Sequence, residues 1–264
     1  MIESPSRRLA FGRIGGTLAF VAASAGTAGP SLAAQASSTA SGALARLTRQ
    51  LKLVPRRRQF KSVLFMAIRP EDWDEQAARL LLGYGDRSKQ VWENTEIGAA
   101  WPNLMREALN GEVFAHHNPD FLQVAAMHGL AHLALFSDDA WTRYRLSQLA
   151  GPAFASNTLI HEKPGASATD DLQDIDGFYG PDNDNIVSLQ KRGAVFVACH
   201  DSIYAIARKL QQVPGADQDL AKTPTGEIAA DLTNNLVPDC VLVPSVVAFL
   251  VELQKAGFTY VKGS

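Results

Sequence analysis

Short apolar runs alternate along this chain with longer stretches whose apolar residues recur every three or four positions. The short runs predict strands and the longer stretches predict helices, an order that implies βαβ units and a parallel sheet. Residues 60–67, 121–127, 194–199 and 240–243 read as strands, with a short edge strand at 258–261. Pro70 with Glu71, Asp72 and Asp74 marks a helix start, and that helix runs to Leu82 before Gly83. Further helices are predicted over 101–109, stopped by Asn110-Gly111, and over 138–149, capped by Ser137 or Asp138. Three more follow at 201–212, 225–234 and 245–256, the last ended by Gly257. Residues 84–98 are polar and carry no clear period. The result is an α/β domain with a mainly parallel sheet of about five strands.

The beginning of the chain has a different character. Ser6-Arg7-Arg8 resembles a twin-arginine n-region, residues 14–28 are mildly apolar, and Ala34-Gln35-Ala36 is a small-x-small cleavage pattern. Residues 1–36 therefore predict a Tat-like export signal and a periplasmic destination. The apolar stretch is too short and polar to span a bilayer, and no later one is long enough, so no stable membrane insertion is expected after signal removal. Residues 37–58 read as a linker or a frayed helix, and 59–264 as a single domain.

Composition narrows the partners. The net charge is −2 over 264 residues. Losing the signal removes Arg7, Arg8, Arg13 and Glu3 and leaves the rest more acidic, which speaks against a nucleic-acid partner. The Arg56-Arg57-Arg58 run reads as a solvated entry to the first strand. Residues 150–185 are rich in Gly, Pro, Asp and Asn and predict an irregular insertion, functional or mobile. Its acidic residues lack the ordered spacing of a calcium loop.

The candidate chemistry gathers at predicted strand ends. In open α/β sheets ligands bind outside the carboxyl ends of the strands. Those ends supply Arg69, then His128 and Gly129, then Cys199 and His200, then Ser245. Cys199 closes an apolar run just before a helix and is expected to be an accessible thiol, with Arg69, His128 or His200 tuning it. Cys240 opens its own strand, so the two sulfurs are expected at opposite edges, too far apart for a disulfide. Both are expected to be free, Cys240 buried and inert. His116, His117, His128, His132 and His200 are spaced too loosely to predict a metal site. Nucleotide-binding glycine motifs are absent, and no cofactor is expected.

The C-terminal residues carry a resemblance. Asn235-Leu236-Val237-Pro238, Val241-Leu242-Val243-Pro244-Ser245-Val246-Val247 and Leu253-Gln254-Lys255-Ala256-Gly257-Phe258-Thr259-Tyr260, preceded by Phe196-Val197-Ala198-Cys199, resemble the end of DsrE/DsrF-like sulfur-relay proteins. The resemblance spans about 190–261 and extends to 121–145, and is strongest to longer, Tat-signalled members of unassigned role. His200, Asp239 and Val246 depart from the small members' pattern. The resemblance implies a three-layer flavodoxin-like domain, a trimer or hexamer, and a persulfide-carrying cysteine at Cys199. Thiol-redox chemistry, or sulfur exchange with a donor or acceptor protein, is the expected function. A non-catalytic ligand-binding or assembly protein and a metal-binding accessory protein are the alternatives.

Overall fold

A computed structural model describes residues 42–86, 88–213 and 218–264. The expected export signal lies outside them. The helices are α1 (Ala43–Leu53), α2 (Glu75–Leu82), α3 (Trp101–Asn110), α4 (Asp138–Tyr144), α5 (Ser147–Ala150), α6 (Ile186–Lys191), α7 (His200–Leu210), α8 (Gln218–Lys222), α9 (Thr225–Asn234) and α10 (Val246–Lys255). The strands are β1 (Lys89–Asn94), β2 (Leu122–Met127), β3 (Val195–Cys199), β4 (Val241–Val243) and β5 (Thr259–Lys262). They form one sheet in the order β4-β3-β2-β1-β5, and every pair is parallel.

Helices cover both faces, giving three layers and a flavodoxin-like α/β architecture. One face packs against α3, α4, α6, α7 and α9 through Trp101, Met105, Trp141, Leu189, Ile203, Ile206 and Leu232. The other packs against α1, α2 and α10 through Leu44, Leu47, Leu51, Leu81, Phe249 and Leu253. The partition follows from handedness. From β1 to β4 the chain steps across the sheet in one direction, so right-handed crossings put those helices on one face. The step from β4 to β5 runs back across the sheet and forces α10 onto the other face.

The strands at 121–127, 194–199, 240–243 and 258–261 form within a residue or two of their expected bounds, and residues 60–67 do not form one. The edge they would pair with is already closed. The Asp74 N–H donates to the Leu242 carbonyl (3.0 Å) and the Leu242 N–H donates to the Asp74 carboxylate (2.8 Å). The Asp74 side chain also accepts the Arg57 N–H (2.7 Å) and pairs with Arg58 (3.1 Å). Arg56 and Arg58 both donate to the Cys240 carbonyl. The arginine run is thus an edge cover for β4, rather than the solvated entry expected of it.

Residues 60–68 cross the molecule as a strap. Asn234 holds Phe60 by two hydrogen bonds (2.9 and 2.8 Å), and the Val63 N–H donates to the Gly226 carbonyl (3.0 Å). A Cβ on Gly226 would lie 2.4 Å from the Val63 carbonyl oxygen, so only glycine admits the strap there. Leu64, Phe65, Met66 and Ile68 are exposed.

The strand missing from the expectation is β1, inside polar residues 84–98. Its buried Lys89 donates to the Tyr84 carbonyl (2.6 Å) and lies over the Phe258 ring. The Trp92 indole donates to Gln90 (2.7 Å). Residues 43–53, expected as linker or frayed helix, form a helix that buries Leu44, Leu47 and Leu51. The helix expected over 70–82 splits into a single turn at Pro70–Asp72 and then α2. The one expected over 101–109 does not stop at Asn110-Gly111 but continues as a wide turn over Gly111–Ala115. The one expected over 138–149 breaks at Arg145, whose φ is 49°. Residues 150–185 are irregular as expected. They are pinned by Asn157, which donates to the Ala134 and Phe136 carbonyls, and by Arg106 and Asn110, which donate to the Tyr179 carbonyl.

Asp74 is nearly fully buried and joins the strap side of the chain to β4. Replacing it with Ala removes one acceptor from two backbone N–H groups and strands the Arg58 guanidinium. We expect Asp74→Ala to lower unfolding stability by about 3–5 kcal/mol, read as a drop in the urea midpoint at constant slope. A loss below about 1 kcal/mol would remove Asp74 from the role assigned here.

Candidate functional site

Because α7 leaves β3 over one face and α10 leaves β4 over the other, the carboxyl ends of β3 and β4 form a topological switch point. In this architecture such a point opens a crevice. Cys199 is the last residue of β3 and sits opposite Val243 in the ladder. The Asp201 N–H donates to the Pro244 carbonyl (3.2 Å), which ties the two strand exits together. The Val246 N–H, first in α10, donates to Cys199 Sγ (3.4 Å). The positive end of that helix therefore faces the sulfur. The Ser245 hydroxyl caps α10 by accepting the Ala248 N–H (3.4 Å).

A cavity of about 320 Å³ opens beside Cys199, lined also by His128, Asp201, Ser202, Ser245 and Val247, with Phe65 of the strap at its wall. The His128 ring reaches back to β1, where its Nε2 lies 3.0 Å from Glu93 Oε1. The second oxygen of Glu93 accepts a short hydrogen bond from the Tyr260 hydroxyl of β5. Burial pushes the Glu93 carboxyl up. The hydrogen bonds from Tyr260 and His128, helped by the charges of His128 and Lys262, outweigh it and hold the pKa below the usual carboxylate value. The Gly129 N–H donates to Ser202 Oγ (3.3 Å). Gly129 has φ 58°, and a Cβ there would meet the Thr95 carbonyl oxygen at 2.8 Å, so this turn after β2 requires glycine.

The structure thus brings Cys199, His128 and Ser245 to one cavity, with Gly129 one hydrogen bond away. It separates the other two expected residues. His200 is buried on the far side of its neighbour Cys199, and its Nε2 meets the Leu64 carbonyl (2.8 Å). Consecutive residues at a strand end point to opposite faces, which is why adjacency in sequence misplaces it. Arg69 follows the strap, not a strand, and is exposed, paired with Asp72 (2.7 Å) and Glu71 (3.5 Å). Arg69 and His200 line a different cavity of about 250 Å³.

Cys199 is also less open than expected. The residue is 2% exposed, so its sulfur is reached through the cavity and not from bulk solvent. Cys240 is buried on the opposite face of the sheet, with its thiol pushed up to about 12 by desolvation, which exceeds the opposing effect of Arg58 and Arg56. Both cysteines are free. Glu93, Ser202 and Phe65 belong to the site but carried no sequence signal for it. A larger cavity of about 750 Å³ lies at the amino ends of β3 and β4, beside Ala194, Val195 and Asp239, remote from the strand ends that carry the thiol.

His132 does not share a site with His128. It is fully buried against Phe136 in the core, and neither ring nitrogen has a hydrogen-bond partner. Among the described residues no group of three or more His, Cys, Asp or Glu is placed to hold a metal ion. Comparison with protein-family models, curated proteins and solved structures finds no match for this chain.

Burial pulls the His132 pKa down to about 3, so the folded protein keeps this ring neutral. An unfolded histidine protonates near 6.5. The unfolded state therefore gains a proton that the folded state refuses as pH falls from about 6.5 towards 3, and stability must decline across that window by up to about 1.4 kcal/mol per pH unit. Above pH 6.5 the ring contributes no slope. We expect His132→Leu to flatten this part of the stability–pH curve in urea titrations. An unchanged curve would show that His132 finds a proton partner in solution.

Proposed function

We propose that this chain is an exported DsrE-like thiol protein whose Cys199 carries sulfane sulfur. The observation that carries the reading is the Cys199 sulfur at a cavity wall, at the switch point of the sheet, with the first amide of α10 donating to it. Sulfane transfer there is balanced without an external oxidant. The Cys199 sulfur attacks the outer sulfur of a donor persulfide and forms a new S–S bond. The donor's own S–S bond breaks, and the donor leaves as a thiol. An acceptor thiolate then takes the terminal sulfur and returns Cys199 to its starting form. The cavity suits this chemistry because its volume of about 320 Å³ is large enough for a sulfur chain. The chain's −2 net charge agrees with a protein or small thiol as partner in place of a nucleic acid.

The near-complete burial of Cys199 favours the competing reading of a non-catalytic scaffold. Iodoacetamide at mildly acidic pH, read by mass spectrometry of the Cys199 peptide, separates the two. The sulfur-carrier reading expects alkylation of Cys199 in the native protein and none of Cys240. It also expects glutathione persulfide to add one sulfur atom to that peptide, released by dithiothreitol. A native protein modified at neither cysteine would leave the scaffold.

Assembly into a trimer or hexamer belongs to the same proposal. Leu64, Phe65, Met66 and Ile68 are exposed on the strap, and Val247 and Val251 lie one helical turn apart on α10. Phe65 and Val247 line the same cavity, so the two exposed apolar sets adjoin. A second copy is the occupant this patch fits, since it carries no charge to match an acidic or basic partner. Light scattering after size exclusion should give an oligomer for the wild-type chain and a smaller species for Phe65→Glu/Met66→Glu. A wild-type monomer would rule the assembly out.

A further inference from the structure

We infer that Glu93 is a positioning residue that fixes His128 with its Nδ1 free, making His128 the proton acceptor of the Cys199 cavity. The inference rests on the sulfur-carrier reading of that cavity. Three elements converge to hold the imidazole. Glu93, near the end of β1, sits 3.0 Å from His128 Nε2. Tyr260, on the neighbouring edge strand β5, occupies the other carboxylate oxygen. The residue after β2 then turns at Gly129, where only glycine fits, and this fixes the direction from which the His128 ring leaves the strand.

An ionised carboxylate accepts hydrogen bonds and donates none. The Glu93 carboxyl is held below its ordinary pKa, so it is ionised near neutral pH and Nε2 of His128 must carry the hydrogen. The lone pair of a neutral ring is then on Nδ1. Both side chains are about one-fifth exposed, which shields the pair from competing water while leaving the ring at the cavity wall. A carboxylate holding an imidazole in one tautomer is a general device for setting a proton acceptor beside a nucleophile.

The proton follows a closed path. When the Cys199 sulfur forms a bond to an electrophile, the S–H bond breaks and its proton passes to His128 Nδ1 through the cavity. The protonated ring is stabilised by Glu93 and later returns the proton to the leaving thiol. The charged and titratable groups facing this ring are Glu93 and, through Glu93, Tyr260 and Lys262 of the β1–β5 side. Asp201 of α7 and Cys199 of β3 face it across the cavity, and buried His132 lies on the side of the turn after β2.

The test is the rate of iodoacetamide modification of Cys199 at neutral pH, with nitrogen NMR of the His128 ring in the same samples. In the wild-type chain we expect the Nε2–H tautomer. Glu93→Gln should mix the tautomers and slow modification about tenfold. His128→Gln should slow it at least as far. Tyr260→Phe, which leaves Glu93 in place, should keep the tautomer and change the rate only slightly. If Glu93→Gln leaves tautomer and rate untouched while Cys199 still reacts, the positioning role is overturned and the sulfur-carrier reading stands. If Cys199 fails to react in every chain, that reading falls, and the NMR tautomer still decides whether Glu93 sets the ring.

Discussion

The one constraint from which the site follows is the handedness of the last crossing. β5 must pair with β1 at the far edge, so the chain has to run back over the whole sheet after β4. A right-handed return is possible only over the face that the earlier helices do not use. That places α10 opposite α7 and separates two helix N-termini at the ends of adjacent strands. The crevice, the amide aimed at Cys199 and the capping role of Ser245 are consequences of that separation. The same register explains the contrast between the two thiols. Cys199 pairs beside Val243 at the open end, whereas Cys240 precedes β4 and turns into the opposite core.

The return also leaves β4 as an edge strand, and edges must be covered. Asp74 covers it with one N–H and one carboxylate, as a single residue of a strand would, and Arg56 and Arg58 close the carbonyl just before it. This explains why residues 60–67 mislead when read alone. Their composition is that of a buried strand, but strand formation needs a free edge, and nothing local in the run reports that the edge is taken. The reverse error occurs at β1. Lys89, Gln90 and Glu93 hide the strand because each is handled individually: Lys89 by the Tyr84 carbonyl, Gln90 by Trp92, and Glu93 by His128 and Tyr260. The strands after residue 120 and helices α7, α9 and α10 were legible because their apolar period is undisturbed. Helix α1 carried its signal in Leu44, Leu47 and Leu51, but basic and small residues around them diluted it.

The candidate site was legible to the extent that it depends on strand ends. Cys199, His128 and Ser245 were placed by that rule alone, and they do share a cavity. The rule fails where a strand was wrong or where side-chain direction matters. Arg69 inherited the error at 60–67. His200 shares a strand end with Cys199 but points to the strap, where Leu64 accepts its hydrogen bond. Glu93 could not be named before β1 was known, since only the β1–β2 pairing brings it beside His128. Tertiary partners of this kind leave no periodic trace.

The burial of the sulfur and the openness of its cavity are two sides of one arrangement. A persulfide is a reactive chain that stray thiols would discharge, so a carrier gains by holding its sulfur at a cavity wall instead of in bulk solvent. Phe65 and Val247 make part of that wall apolar. The polar groups stand around it at defined places: the Val246 amide at the sulfur, the Glu93 carboxylate behind the imidazole, and the Ser202 hydroxyl on the Gly129 amide. The strap therefore links the two halves of the proposal. The residue that walls the thiol cavity, Phe65, belongs to the same exposed run that a second copy would cover. Assembly over that run would narrow access to Cys199 further, so oligomer state and thiol reactivity have to be measured on the same sample, because each sets the meaning of the other.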